Sequence, residues 1–159
     1  MELDSGREPP RPGRPRPLDM EPLAVYDRHG DGHTLSRHCG TTPAVEAQRL
    51  ERHPELPATG AFPDAATAQR SVDACVAANR EVVETWRSGA RIRLAISHDM
   101  GEVIGDVLER SRLQAGDAAP LPATAVRVVL RRNPSYRAGF AVLTAYPVAE
   151  ATGAYPHHR

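Results

Sequence analysis

The chain has 159 residues, 40 % of them hydrophobic and 25 % charged, with a formal net charge of zero. That length fits about one domain with a core of its own. No apolar stretch approaches the roughly 20 residues that a membrane helix needs, and the charge balance excludes a global basic footprint for nucleic acid. All 20 basic residues are arginine, which excludes a P-loop and any lysine nucleophile. Two readings of that bias stand side by side: GC-rich codon use, and guanidinium forks that grip phosphate bidentately.

Residues 1–22 hold six prolines, four arginines and five acids. They bury too little apolar surface to fold and predict a disordered Pro/Arg-rich linker. They also lack the apolar stretch of a secretory signal, so no signal peptide is expected on this chain. The folded domain is expected over 23–148, with a flexible tail over 149–159. From His33 to Arg52 the pattern predicts two short helices. Gly40 ends the first, and Thr42 with Pro43 starts the second. Asp64 caps a long helix running to about Trp86, with Ala68, Val72, Cys75, Val76, Val83 and Trp86 as its buried stripe. Ile92, Leu94 and Ile96 alternate as in a strand, and Val103 to Leu108 forms another around Gly105. Residues 109–124 read as a loop. Ala125 to Arg132 and Phe140 to Val148 form a hairpin across the turn residues Asn133–Gly139. Helices first and strands after predict an α+β fold, helices packed on one face of an antiparallel sheet. Strand order is not legible.

The densest polar run is His29 to Cys39. Its three histidines and Cys39 invite a zinc reading, but the second ligand pair of a structural zinc site is missing. Cys39 beside His38 suggests a thiol nucleophile, yet sequence neighbours point their side chains apart. Cys39 and Cys75 make no disulfide framework, and Cys75 on the helix stripe reads as an inert core thiol. His38 and Arg49 would lie about 16 Å apart on one continuous helix. The break at Gly40–Pro43 lets them fold toward one cleft, although Arg49 also reads as an ordinary surface arginine. Thr144 and Tyr146 share one face of the last strand, after Phe140 and Val142 on that same face. They could orient a phosphate or simply pack across strands.

The block His33-Thr34-Leu35-Ser36-Arg37-His38-Cys39-Gly40-Thr41-Thr42, followed by Arg49-Leu50, resembles the opening of the bacterial RNase A-like toxin domain. That domain stands at the C-terminus of contact-dependent growth inhibition effectors and other polymorphic toxins. Ala61 to Ala68, Gly101 to Leu108, Val126 to Arg131 and Val142 to Val148 continue the resemblance in order, from about residue 30 to 148. It implies an α+β fold laid out like pancreatic-type ribonuclease without disulfides. It also implies an endoribonuclease acting on RNA, often tRNA, and neutralised by a cognate immunity protein. The site residues it implies are His38, Arg49, Thr144 and Tyr146, with His33 as a second acid–base group or a loop-fixing residue. Cys39 stands where valine is more usual.

RNA carries its own nucleophile, the 2′-OH, so the expected reaction needs no metal or cofactor and leaves a 2′,3′-cyclic phosphate. A histidine of near-neutral pKa suits the proton transfers, and Arg49 suits the phosphorane charge. DNA is not an expected substrate. The protein is expected to be made in the bacterial cytoplasm and delivered to act in a target-cell cytoplasm. Two alternatives remain. One is a non-catalytic RNA-binding module or remnant holding phosphates through Arg127, Arg131 and Arg132, or binding only an immunity protein. The other is a metal-dependent hydrolase built on His29, His33 and Cys39.

Overall fold

The structure is a computed structural model that describes residues 16–151, 153 and 155–156. Residues 1–15 of the linker expected over 1–22 therefore lie outside the described residues. Met20 is only 5 % exposed and belongs to the core, so packing starts ahead of the expected boundary at Leu23. A helix not foreseen, α1 (Leu23–His29), comes next. The two short helices follow as expected: α2 (Thr34–His38) and α3 (Pro43–Arg52). Thr42 caps α3 by accepting from the Val45 N–H at 3.3 Å, and Gly40 makes the intervening turn at φ +67°, a conformation that favours glycine.

A short strand, β1 (Ala58–Ala61), precedes the long helical segment. That segment is two helices rather than one, α4 (Ala65–Ala78) and α5 (Arg80–Ser88). Asn79 breaks it. Its side-chain amide donates to the Cys75 carbonyl at 2.9 Å and to the Ser97 carbonyl at 3.0 Å, tying the junction to the neighbouring strand. Val76 and Val83 are one heptad apart and both buried, so the apolar period survives the break and hides it. The strand β2 (Arg93–Asp99) leaves Ile92 outside, 60 % exposed, while Leu94 and Ile96 are buried. Then come β3 (Gly105–Glu109), α6 (Arg110–Gln114) and β4 (Leu121–Ala123). Residues 109–124 are thus more than the expected loop. The hairpin β5 (Ala125–Arg132) and β6 (Phe140–Val148) forms as expected. The final strand β7 (Tyr155–Pro156) pairs with β2 at Leu94 and Ala95, in a stretch expected to be a loose tail.

The fold is α+β with two antiparallel sheets where one was expected, in the orders β1-β3-β4 and β6-β5-β2-β7. Helix α4 packs on the larger sheet, and Val72, Val76, Ile96, Val126, Val128 and Phe140 fill the space between them. Both cysteines are free, and Cys75 is fully buried in this core. The β5–β6 ladder shifts register between Val129 and Leu130, so that Val129 faces Thr144 and Leu130 faces Val142. Leu143 is the extra residue of this bulge. Neighbours Val129 and Leu130 point to opposite faces. Thr144 and Tyr146 therefore lie on the face opposite Val142 and Phe140, not on the same face as simple alternation implied.

Candidate functional site

Helix α2 bridges the two sheets and is pinned at both ends. At its start, the His33 N–H donates to the carbonyl of the bulge residue Leu143 at 3.0 Å. At its end, the His38 carbonyl accepts from the Phe62 N–H at 2.6 Å, and the Gly40 N–H donates to the Phe62 carbonyl at 3.0 Å. Backbone bonds thus hold His38 between β1 and β6. The close approach of those strands depends on Gly60, where a Cβ would stand 2.3 Å from the Pro147 carbonyl oxygen. No side chain fits there.

The imidazole of His38 is 3 % exposed, and its Nδ1 lies 3.1 Å from the Gly60 carbonyl oxygen. A carbonyl only accepts, so Nδ1 carries the proton and donates, and Nε2 is left with the lone pair. His38, Arg49 and Tyr146 line one cleft of about 230 Å³, with Arg127 and Glu109 also in its wall. The rings of His38 and Tyr146 are 5.4 Å apart between centroids, and those of His38 and His33 are 6.1 Å apart. Arg127 stands opposite Tyr146 in the ladder. Thr144 is one pair further along the strand on the same face, and its Oγ1 is buried without a hydrogen-bond partner among the described residues.

Burial lowers the pKa of His38 to about 3, helped by the Arg49 charge and opposed by the Gly60 bond. Burial likewise lowers His33 to about 4, with Arg37 and Arg49 adding to the fall. Both rings are therefore neutral at pH 7 in the free protein, not near half-protonation as expected. Burial also lowers Arg49, against the opposing charge of Glu46. Glu46 was not singled out from the sequence. It is 5 % exposed and accepts from the hydroxyls of Thr41 (2.6 Å) and Thr59, joining the α2–α3 turn and β1 to the helix that carries Arg49. Its position one turn before Arg49 was the available signal. Gly60 was missed as well, since one glycine in Ala58-Thr59-Gly60-Ala61 gives no pattern.

The residues of the alternative readings are dispersed. His29 is exposed at the end of α1, with its Nδ1 3.4 Å from the Tyr136 hydroxyl. Burial pushes the Cys39 thiol up to about 11, so it is no ready thiolate. Among the described residues, no three His, Cys, Asp or Glu side chains are grouped to hold a metal ion. Arg132 is engaged elsewhere: it donates to the carbonyls of Trp86, Arg87 and Arg91 at 2.7, 2.7 and 3.1 Å. Among the described residues, no helix is long and apolar enough to cross a membrane.

Comparison with known proteins gives two matches. Residues 32–147 match the family described as "Bacterial CdiA-CT RNAse A domain". The fold is similar to the crystal structure of a CdiA-CT/CdiI complex from Y. kristensenii 33638, with a TM-score of 0.64 and 25 % identity. That likeness covers 74 % of this chain and 99 % of the other. Among curated proteins no significant match is found.

Proposed function

Because the chain belongs to the bacterial CdiA-CT RNase A family, a contact-dependent growth inhibition toxin domain of ribonuclease type, we propose that its cleft cleaves RNA without a metal ion, tRNA being the substrate class in view. The observation that carries this reading is the bond between His38 Nδ1 and Gly60, which leaves Nε2 as a base in a cleft shared with Arg49 and Tyr146.

In this mechanism Nε2 takes the proton of the 2′-OH. The O2′–P bond forms, the P–O5′ bond breaks, and the 5′-oxygen receives a proton. Arg49 holds the non-bridging oxygens and stabilises the charge that grows on them. Thr144 Oγ1, which lacks a partner, and the Tyr146 hydroxyl orient the phosphate. His33 is the group assigned to return the proton. Burial is the main cause of both depressed values, and the bound phosphodiester offsets the arginine charges that add to it, so substrate moves both pKa values upward. Acid–base help of this kind contributes about 10²–10⁴-fold. By analogy with the CdiA-CT/CdiI complex, a cognate immunity protein is the expected partner. Delivery into a target-cell cytoplasm completes the reading.

The test is incubation of the purified protein with total bacterial RNA in EDTA, beside a His38→Ala control. Cleavage by wild type alone, with 2′,3′-cyclic phosphate ends, is the expected result. Intact RNA in both samples, or cleavage that needs added metal, would overturn the proposal.

A further inference from the structure

Next to the cleft, across Arg49, lies a second groove of about 500 Å³, lined by Arg37, Val45, Gln48, Arg49 and Arg52 among others. Arg49 and Leu56 line both spaces, so the two adjoin. Arg37 comes from α2, directly before His38, while Arg49 and Arg52 are neighbours on one face of α3. The guanidiniums of Arg37, Arg49 and Arg52 have no hydrogen-bond or ion-pair partner among the described residues. The acid nearest in sequence, Glu46, is turned inward onto Thr41 and Thr59. Glu55, on the groove's rim, pairs with His53 at 3.2 Å.

Three like charges gathered around one concavity repel one another, and a polyanion relieves that repulsion. Val45 stands in the same wall, 50 % exposed, and offers an apolar contact for a ribose or base. Resting on the reading of the cleft as the cleavage site, we propose that this groove is a second phosphate subsite. In it Arg37 and Arg52 hold the RNA phosphate next to the scissile one. Adjacency at Arg49 favours RNA over an acidic protein surface, because a strand held in the cleft must run past its edge, and this edge is cationic.

The test uses 2′-O-methyl RNA, which binds but offers no nucleophile, as a fluorescent dinucleotide and a hexanucleotide over a range of salt. Wild type should bind the hexanucleotide several-fold more tightly than the dinucleotide. Arg37→Ala and Arg52→Ala should each lose most of that advantage and lower the salt slope by about 0.7, the value of one single-strand phosphate contact. Arg52→Ala should leave dinucleotide binding unchanged. Hexanucleotide binding with wild-type affinity and slope in both variants would overturn the subsite, whatever the groove does for an acidic protein. Failure of wild type to bind either oligonucleotide would instead overturn the reading of the cleft itself.

Discussion

Arg132 and Arg49 are the same side chain put to opposite uses. Arg132 reaches the C-terminal end of α5 and donates to three main-chain carbonyls, with its guanidinium 5.5 Å from the centre of the Trp86 ring. The Trp86 and Arg87 carbonyls lie in the last turn of α5, where the first also accepts from the Gly89 N–H, the Arg91 carbonyl lies just beyond the helix, and a cation there meets the negative end of the helix dipole. Arg49 has no such partners and faces the cleft with Arg37 behind it. Arg110 stands between the two cases. It closes the end of α3 through the carbonyls of Leu50, His53 and Leu56 at 2.6, 2.7 and 2.8 Å, and so fixes the helix from which Arg49 projects. In an all-arginine sequence neither residue type nor local pattern separates these roles. The acceptors do: a guanidinium saturated by carbonyls is structural, and one held among other cations awaits an anion.

The sharpest test of that contrast is Arg49→Ala against Arg132→Ala. Arg49→Ala should lower RNA cleavage by about 10²-fold or more while leaving the melting temperature near wild type. Arg132→Ala should do the reverse. Losing three charge-assisted bonds at a helix end should lower stability by about 2–3 kcal/mol with cleavage retained at temperatures where the protein stays folded. Urea unfolding and a cleavage assay on the same preparations read both effects. Equal loss of activity in the two variants would remove the distinction. Gly60→Ala should combine the two effects on a smaller scale. The added methyl meets the Pro147 carbonyl, so the strands must separate at a cost of about 1–3 kcal/mol. The Gly60 carbonyl would then move off His38, and cleavage should fall even where the fold persists.

What the sequence made legible follows the strength of its local signals. Gly40, Thr42 and Pro43 announce the break that brings His38 and Arg49 to one cleft, and the alternation of Ala125 to Arg132 announces the hairpin. The bulge at Leu143 is invisible because Phe140 to Tyr146 alternates without interruption. Only pairing with β5 reveals which face Thr144 and Tyr146 take. Strand β1 is invisible for the opposite reason, since Ala58 to Ala61 has no apolar alternation and is defined by Glu109 to Asp106 across from it. The carried-over site residues fall differently. His38, Arg49 and Tyr146 line one cleft, Thr144 follows Tyr146 along the strand face, and His33 stands beside His38. Their protonation was not legible at all, because it depends on burial and on arginines that only the fold brings near.

The protonation of His38 offers the finest form of the comparison. Burial is the larger cause of its depressed pKa and Arg49 the next, so Arg49→Ala should raise it from about 3 without returning it to the ordinary value of 6.5. Arg132→Ala should leave it unchanged, since Arg132 takes no part in the shift. The sign carries over to stability. An unfolded chain binds a proton at His38 and His33 as pH falls through about 6.5, whereas the folded chain resists until about 3 and 4. Both rings therefore cause the fold to lose stability from about pH 6.5 downward, and the loss is complete only below those folded values. Removing the Arg49 charge should make the acid loss shallower. Histidine ring signals followed by NMR against pH, in wild type and both variants, give the answer. A His38 titration that moves with Arg132, or fails to move with Arg49, would sever the link between the unpartnered arginines and the proposed base.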